Sequence, residues 1–285
     1  MNTSNLLIES DELIKILGKS DLVIIDTRPL SVYSIDHIPG AINIPEFFSY
    51  ICTDSAGGIP EMVSFFKSVF EKNGINNHHR VVIYEDAMDN GYGQSCRGWF
   101  ILNLLGHKGT VSVLHGGYKA WQRMSYPLTN DIPSKRPTTY KTELDLSIIV
   151  TKNQVLEAIG DPSIVIVDVR DYAEWIGANS SPYGYDYCPR KGRIPSAKWL
   201  EWYRTMTRKN GIPYFKENQE LLDLCALSNI PLDKTIILYC FKGARTSNVM
   251  LALTKAGLKV KNYFSSWNEW SRDLSLPISE GYPAD

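Results

Sequence analysis

One run in this 285-residue sequence holds its reactive groups at close spacing: Ile236-Ile-Leu-Tyr-Cys240-Phe241-Lys242-Gly243-Ala244-Arg245-Thr-Ser. The apolar residues leading to Cys240 have the character of a buried strand, and Gly243 permits a tight curl. The stretch from Arg245 to Lys255, stopped by Gly257, predicts a helix. A strand that runs through a short loop into a helix collects unpaired backbone N–H groups at the positive end of the helix dipole. Curled inward, those groups form an anion nest. A thiol there, beside Lys242 and Arg245, should ionise well below its usual value of about 8.5, in the range of roughly 3.5–7.5. The chemistry implied is nucleophilic. Cys240 is the attacking thiolate, cradled by the backbone of Phe241, Gly243 and Ala244. All five histidines (His37, His78, His79, His107 and His115) lie in the first half of the chain, so no Cys–His pair within the second half can do this work.

The other cysteines, Cys52, Cys96, Cys188 and Cys225, are widely spaced, odd in total number with Cys240, and form no Cys-x-x-Cys pair. Neither a disulfide framework nor a metal site is expected, and these four read as small buried hydrophobes.

The elements that must position Cys240 occur twice. Leu22-Val-Ile-Ile-Asp26-Thr-Arg28 matches Ile164-Val-Ile-Val-Asp168-Val-Arg170, and Ile38-Pro-Gly-Ala41 matches Ile194-Pro-Ser-Ala197. Val81-Val-Ile-Tyr84-Glu85 matches Ile236-Ile-Leu-Tyr239-Cys240, and Trp121 matches Trp270. Repeated order at similar spacing is the signature of an internal duplication. The β-branched runs read as buried parallel strands, and amphipathic stretches such as Glu61–Lys72 as helices between them. The expectation is therefore an α/β protein of two tandem domains, each a mostly parallel sheet flanked by helices. Residues 1–128 form the first domain, the Pro- and Thr-rich stretch 129–146 a linker, and 147–285 the second domain.

Composition narrows the function. With 30 Lys+Arg against 31 Asp+Glu, the net charge is −1, which argues against a nucleic-acid binder. No apolar run approaches the ~20 residues of a membrane helix, and Met1–Ser10 lacks the basic start of a secretory signal. A cytoplasmic protein without a membrane or nucleic-acid partner is expected, and a monomer.

The residues carry a family resemblance over nearly the full length. Cys240–Arg245 resembles the active loop of two-domain rhodaneses, the thiosulfate and 3-mercaptopyruvate sulfurtransferases. His37-Ile-Pro-Gly-Ala41 resembles a motif near the start of their domains, and Tyr263-Phe-Ser-Ser-Trp267-Asn-Glu269-Trp270 their C-terminal signature. The resemblance implies two rhodanese-like domains, the first catalytically inert because Glu85 stands where Cys240 stands in the second. It implies sulfur transfer through a Cys240 persulfide, from thiosulfate to cyanide or a thiol acceptor, with no cofactor. It also implies Arg170 as a second anion contact beside Lys242 and Arg245. Lys242, a cation at the third loop position, suits the thiosulfate dianion. Phe241 fits neither donor pattern, and 3-mercaptopyruvate is the alternative. Arg193 and Ser196 depart from the His-Ile-Pro-Gly-Ala pattern, and Ser265 stands where the C-terminal signature has glycine. The segment 171–190 reads as an insertion that, with Arg190, Lys191 and Arg193, makes the entrance positive. Arg28 is expected to pair with Glu85 and close the inert site. Two rivals are weaker. A phosphatase of related fold needs a longer Cys-to-Arg spacing than that between Cys240 and Arg245. A partner-binding module would leave no reason for a complete loop around Cys240.

Overall fold

The computed structural model describes residues 5–52 and 58–282. The chain divides into two units, the first comprising residues 1–50, 59–145 and 206–215, the second 51–58, 146–205 and 216–285. In the first, β1 (Leu7–Ile8), β2 (Leu22–Asp26), β3 (Ala41–Asn43), β4 (Arg80–Tyr84) and β5 (Val111–Leu114) form a parallel sheet in the order β1-β5-β4-β2-β3. In the second, β6 (Ile164–Asp168) and β7 (Lys198–Trp199) come first. The antiparallel hairpin of β8 (Met206–Lys209) and β9 (Ile212–Phe215) follows them in sequence but counts with the first unit. The chain then supplies β10 (Thr235–Tyr239) and β11 (Val260–Asn262), completing a parallel sheet in the order β11-β10-β6-β7.

The central strands β2, β4, β6 and β10 are almost wholly buried. Helices cover both faces of such strands, which is why they read as unbroken Val/Ile/Leu runs rather than alternating ones. Their register carries the duplication to atomic detail. Asp26 pairs with Tyr84 across β2 and β4, and Asp168 with Tyr239 across β6 and β10. In each unit the tyrosine hydroxyl donates to the aspartate at 2.6 Å and accepts from a backbone N–H, of Ile38 or Ile194, at 3.2 Å. The repeated tryptophans behave alike too. Trp121 and Trp270 are buried, and each indole N–H donates to a proline carbonyl, of Pro127 or Pro277, at 2.9 Å.

The stretch read as a linker is strapped to the first unit. Thr138 donates through its backbone to Glu71 at 2.9 Å and through its hydroxyl to Ile75 at 2.8 Å, Lys141 donates to Asn77 at 2.7 Å, and Tyr140 is buried. Hydrogen bonds to the backbone replace the apolar periodicity that the sequence lacks there.

Candidate active site

Cys240 follows Tyr239, the last residue of β10, and the helix Ala244–Lys255 begins four residues later, with Gly243 at its N-cap in the left-handed region (φ 89°). A Cβ at Gly243 would sit 2.5 Å from the Phe264 ring, so both the backbone angle and the space call for glycine. The Gly243 N–H points back at the Cys240 sulfur at 3.2 Å. The hydroxyl oxygens of Thr246 and Ser266 each lie 3.9 Å from it. Every residue from Cys240 to Arg245 is buried, Cys240 to 1 % exposure.

The helix Ser266–Trp270 braces the loop from the other side. The Cys240 N–H donates to Ser266 Oγ at 3.0 Å, while Trp267 and Asn268 N–H groups donate to the carbonyls of Cys240 and Phe241 at 3.0 and 3.1 Å. Ser266 adopts φ 58°, uncommon for a residue with a side chain, and its hydroxyl donates to Tyr263 O at 2.7 Å. Backbone strain of this kind collects at functional sites.

All five cysteines are free and buried. Burial pushes the Cys188 and Cys225 thiols up to about 11. Burial also pushes Cys240 up, but the Arg245 charge and the N–H groups of Thr246, Gly243 and Lys242 outweigh it and hold this thiol below its usual value. Cys240 is thus distinguished by its surroundings, not by its exposure.

The cations take different parts. Arg245 is buried and bidentate to Glu174, at 2.6 and 3.0 Å, with Asp171 at 3.3 Å. It acts on Cys240 through its field while its guanidinium is committed to carboxylates. Lys242 lies with its Nζ 5.4 Å from the centre of the Tyr183 ring. Arg170, expected as an anion contact, is held at its strand end through Nε and Nη2, with Nη1 left without a hydrogen-bond partner. It is bidentate to Asp168 at 2.6–3.0 Å, donates to Gly192 O at 2.7 Å and stacks on Trp267 at 4.4 Å. Arg28 makes the same bidentate pair with Asp26 at 2.7–3.1 Å, in the unit that has no cysteine on its loop. The Asp-x-Arg motif builds a strand end in both copies.

Of the three cations expected at the entrance, Lys191 lies with its Nζ 5.5 Å from the centre of the Tyr185 ring, and the two arginines are tied to the backbone. Arg190 donates to the carbonyls of Trp270, Ser271, Leu276 and Asp273, and Arg193 to Gly281 O while stacking on Trp175 at 4.7 Å. Both arginines hold backbone carbonyls that the irregular C-terminal chain leaves over. Nor does Arg28 close the first unit's loop. Glu85 is fully buried and held by the Ser95 hydroxyl at 2.6 Å and by the N–H groups of Gln94, Ser95 and Gly93. Burial prevails, and its carboxyl is pushed up to about 8. The ring nitrogens of His37, His79, His107 and His115 are engaged within the first unit.

Four further residues belong to the site: Thr246 adjoins the loop, Ser266 lies within the C-terminal signature, and Glu174 and Tyr183 lie within the 171–190 segment, but sequence alone gives none of them an individual role. Glu174 could have been sought as the carboxylate any buried arginine demands. Among the described residues no cluster of His, Cys, Asp and Glu could hold a metal ion, and no helix is long and apolar enough to cross a membrane.

Known proteins share this fold. The model of the Rhodanese-like domain matches residues 9–124 and again 151–273. The sulfur carrier protein TtuD of Thermus thermophilus is 32% identical over 88% of this chain and 87% of its own. The thiosulfate sulfurtransferase of Mus musculus is 30% identical over 84% of this chain and 79% of its own. Among solved structures, the 3-mercaptopyruvate sulfurtransferase SseA of Escherichia coli shares the fold, with a TM-score of 0.77 at 23% identity over 93% of this chain and 99% of its own. With two Rhodanese-like domains in tandem and a cysteine on the second domain's strand-to-helix loop, the chain belongs to the rhodanese family of sulfurtransferases.

Proposed function

We propose that the protein is a thiosulfate sulfurtransferase that works through a persulfide on Cys240, and that the first domain is catalytically inert. The observation that carries this reading is the setting of Cys240, whose sulfur meets the Gly243 N–H at 3.2 Å on a buried loop with Arg245; this setting holds Cys240 down where burial alone pushes Cys188 and Cys225 up. A thiolate maintained inside a dry nest is a nucleophile whose charge has been offset in advance. The Cys240 thiolate attacks the outer sulfur of thiosulfate. A new sulfur–sulfur bond forms, the bond inside thiosulfate breaks, and sulfite leaves with its electron pair. The anion now rests on the outer sulfur of the persulfide, within the field of Arg245 and the N–H groups of Lys242, Gly243 and Thr246. An acceptor nucleophile, cyanide or a thiol, takes that sulfur and returns the thiolate. No step needs a metal or an organic cofactor.

Arg245 serves as the fixed countercharge and Lys242 as the donor's cation, with the Phe241, Gly243 and Ala244 backbone around the transferring sulfur. Thiosulfate is favoured over 3-mercaptopyruvate by the cation at Lys242; the similarity to thiosulfate sulfurtransferases supports the same donor. The test is intact mass before and after incubation with thiosulfate, for wild type and Cys240→Ser. A gain of one sulfur atom in wild type alone, removed by cyanide, is the expected result. A gain only with 3-mercaptopyruvate moves the donor to that compound, and no gain with either overturns the reading.

A further inference from the structure

The segment after the short helix Tyr172–Trp175 folds into a compact loop that ends on the active-site loop. Its turns are closed internally: Gly184 N–H donates to Ser181 O, Tyr183 N–H to Ser181 Oγ, and Cys188 N–H to Gly184 O, at 3.2–3.3 Å. It is pinned from outside by Arg272 to Asp186 O and by Asn268 Nδ2 to Tyr187 O, both at 2.8 Å. Asn268 is also the residue whose N–H holds Phe241 O. One side chain and its own backbone thus tie the tyrosine loop and the Cys240 loop together.

At the tip, the Tyr183 ring stacks on Phe241 with centroids 4.8 Å apart and planes at 29°. Tyr187 meets Phe241 edge-on at 6.2 Å and Tyr183 at 5.7 Å. Lys242 lies beneath the same Tyr183 ring. Tyr183 and Tyr187 keep 45 % and 40 % of their surface exposed while the loop they cover is buried. One face of the pair meets solvent and the other covers Phe241 and Lys242, the two residues that follow Cys240.

We propose that Tyr183 is a specificity-determining residue that selects the sulfur acceptor by size; this rests on the sulfur-transfer reading above. A persulfide moves the reacting sulfur outward by about 2 Å, to a position that a rod-like anion such as cyanide reaches past the aromatic wall. A bulky thiol must part Tyr183 from Phe241 to do so. Small inorganic nucleophiles are therefore the preferred acceptors.

The experiment measures sulfur release from the preloaded Cys240 persulfide to cyanide and to glutathione, a tripeptide thiol, for wild type, Tyr183→Ala and Tyr183→Phe. Opening the wall by Tyr183→Ala should raise the glutathione-to-cyanide rate ratio roughly tenfold, the order expected for one aromatic stacking contact. Tyr183→Phe, which keeps the ring, should keep the wild-type ratio. A loaded Cys240 whose ratio is unchanged in Tyr183→Ala overturns the wall alone, as does a Phe variant that behaves like Ala. A wild-type Cys240 that takes no sulfur from any donor overturns the sulfur-transfer reading and this one with it.

Discussion

Arg245 stands between two negative groups, the Glu174 carboxylate it binds and the Cys240 sulfur it polarises. Its field is therefore shared, and changing either neighbour redistributes it. Glu174→Gln removes the charge that competes for Arg245, so the thiolate should be held more strongly. The pH midpoint of Cys240 alkylation should move below that of wild type. The same change leaves a buried guanidinium short of charge, with only Asp171 at 3.3 Å, and should cost about 3 kcal/mol of stability, the order measured when one partner of a buried pair is removed. Arg245→Gln should move the midpoint the other way, above the usual thiol value, because burial of Cys240 is then opposed by N–H groups alone. Alkylation with iodoacetamide across pH 5–10, with urea unfolding alongside, reads both effects. Midpoints that shift in the same direction in the two variants would show that Arg245 does not set the thiolate.

The nest itself belongs to the loop between β10 and the helix Ala244–Lys255, and its hinge is Gly243. An alanine there must take a left-handed angle that costs an L-residue roughly 1–2 kcal/mol, and its Cβ meets the Phe264 ring as well. Gly243→Ala should thus lower the urea midpoint and raise the alkylation midpoint together, because the Gly243 N–H swings away from the sulfur. A lower urea midpoint with an unmoved alkylation midpoint would assign Gly243 to folding alone. At this scale much is legible in the sequence. The β-branched runs that became β2, β4, β6 and β10, the helix after Cys240 and the glycine between them all follow from local pattern. What local pattern misses is what long-range packing supplies. Glu174 reaches Arg245 across 71 positions and Ser266, inside the C-terminal signature, reaches Cys240 across 26, and no local spacing pairs either with its partner. Arg170 is the opposite case: its motif is legible, and Arg28 repeats it where no cysteine follows, so the Asp168–Arg170 pair reads from sequence as a strand-end pair as well as an anion contact.

Across the whole chain, the duplicated frame holds two buried acids at equivalent strand ends and drives their ionisation in opposite directions. Both follow a tyrosine hydrogen-bonded to an aspartate, and both face N–H groups at a helix start. Cys240 also has a cation, Arg245, that lies within its field. For Glu85 the forces that oppose burial are hydrogen bonds only, so desolvation wins and the carboxyl rises to about 8. One of its oxygens, Oε2, is buried with no hydrogen-bond partner, which suits a protonated acid. The consequence for stability has a definite sign. The unfolded chain gives up the Glu85 proton near pH 4.5, while the folded chain keeps it to about pH 8, so between these limits the unfolded state binds fewer protons and stability falls as pH rises. Below that window Glu85 imposes no such penalty. Glu85→Gln, which cannot ionise, should abolish this slope. At pH 8 the variant should be more stable than wild type by an amount on the order of 4 kcal/mol at most, at about 1.4 kcal/mol per unit. The advantage should shrink steadily toward pH 5. Urea unfolding of both proteins from pH 5 to pH 9 checks it, and parallel curves would mean that Glu85 is ionised in the folded chain after all.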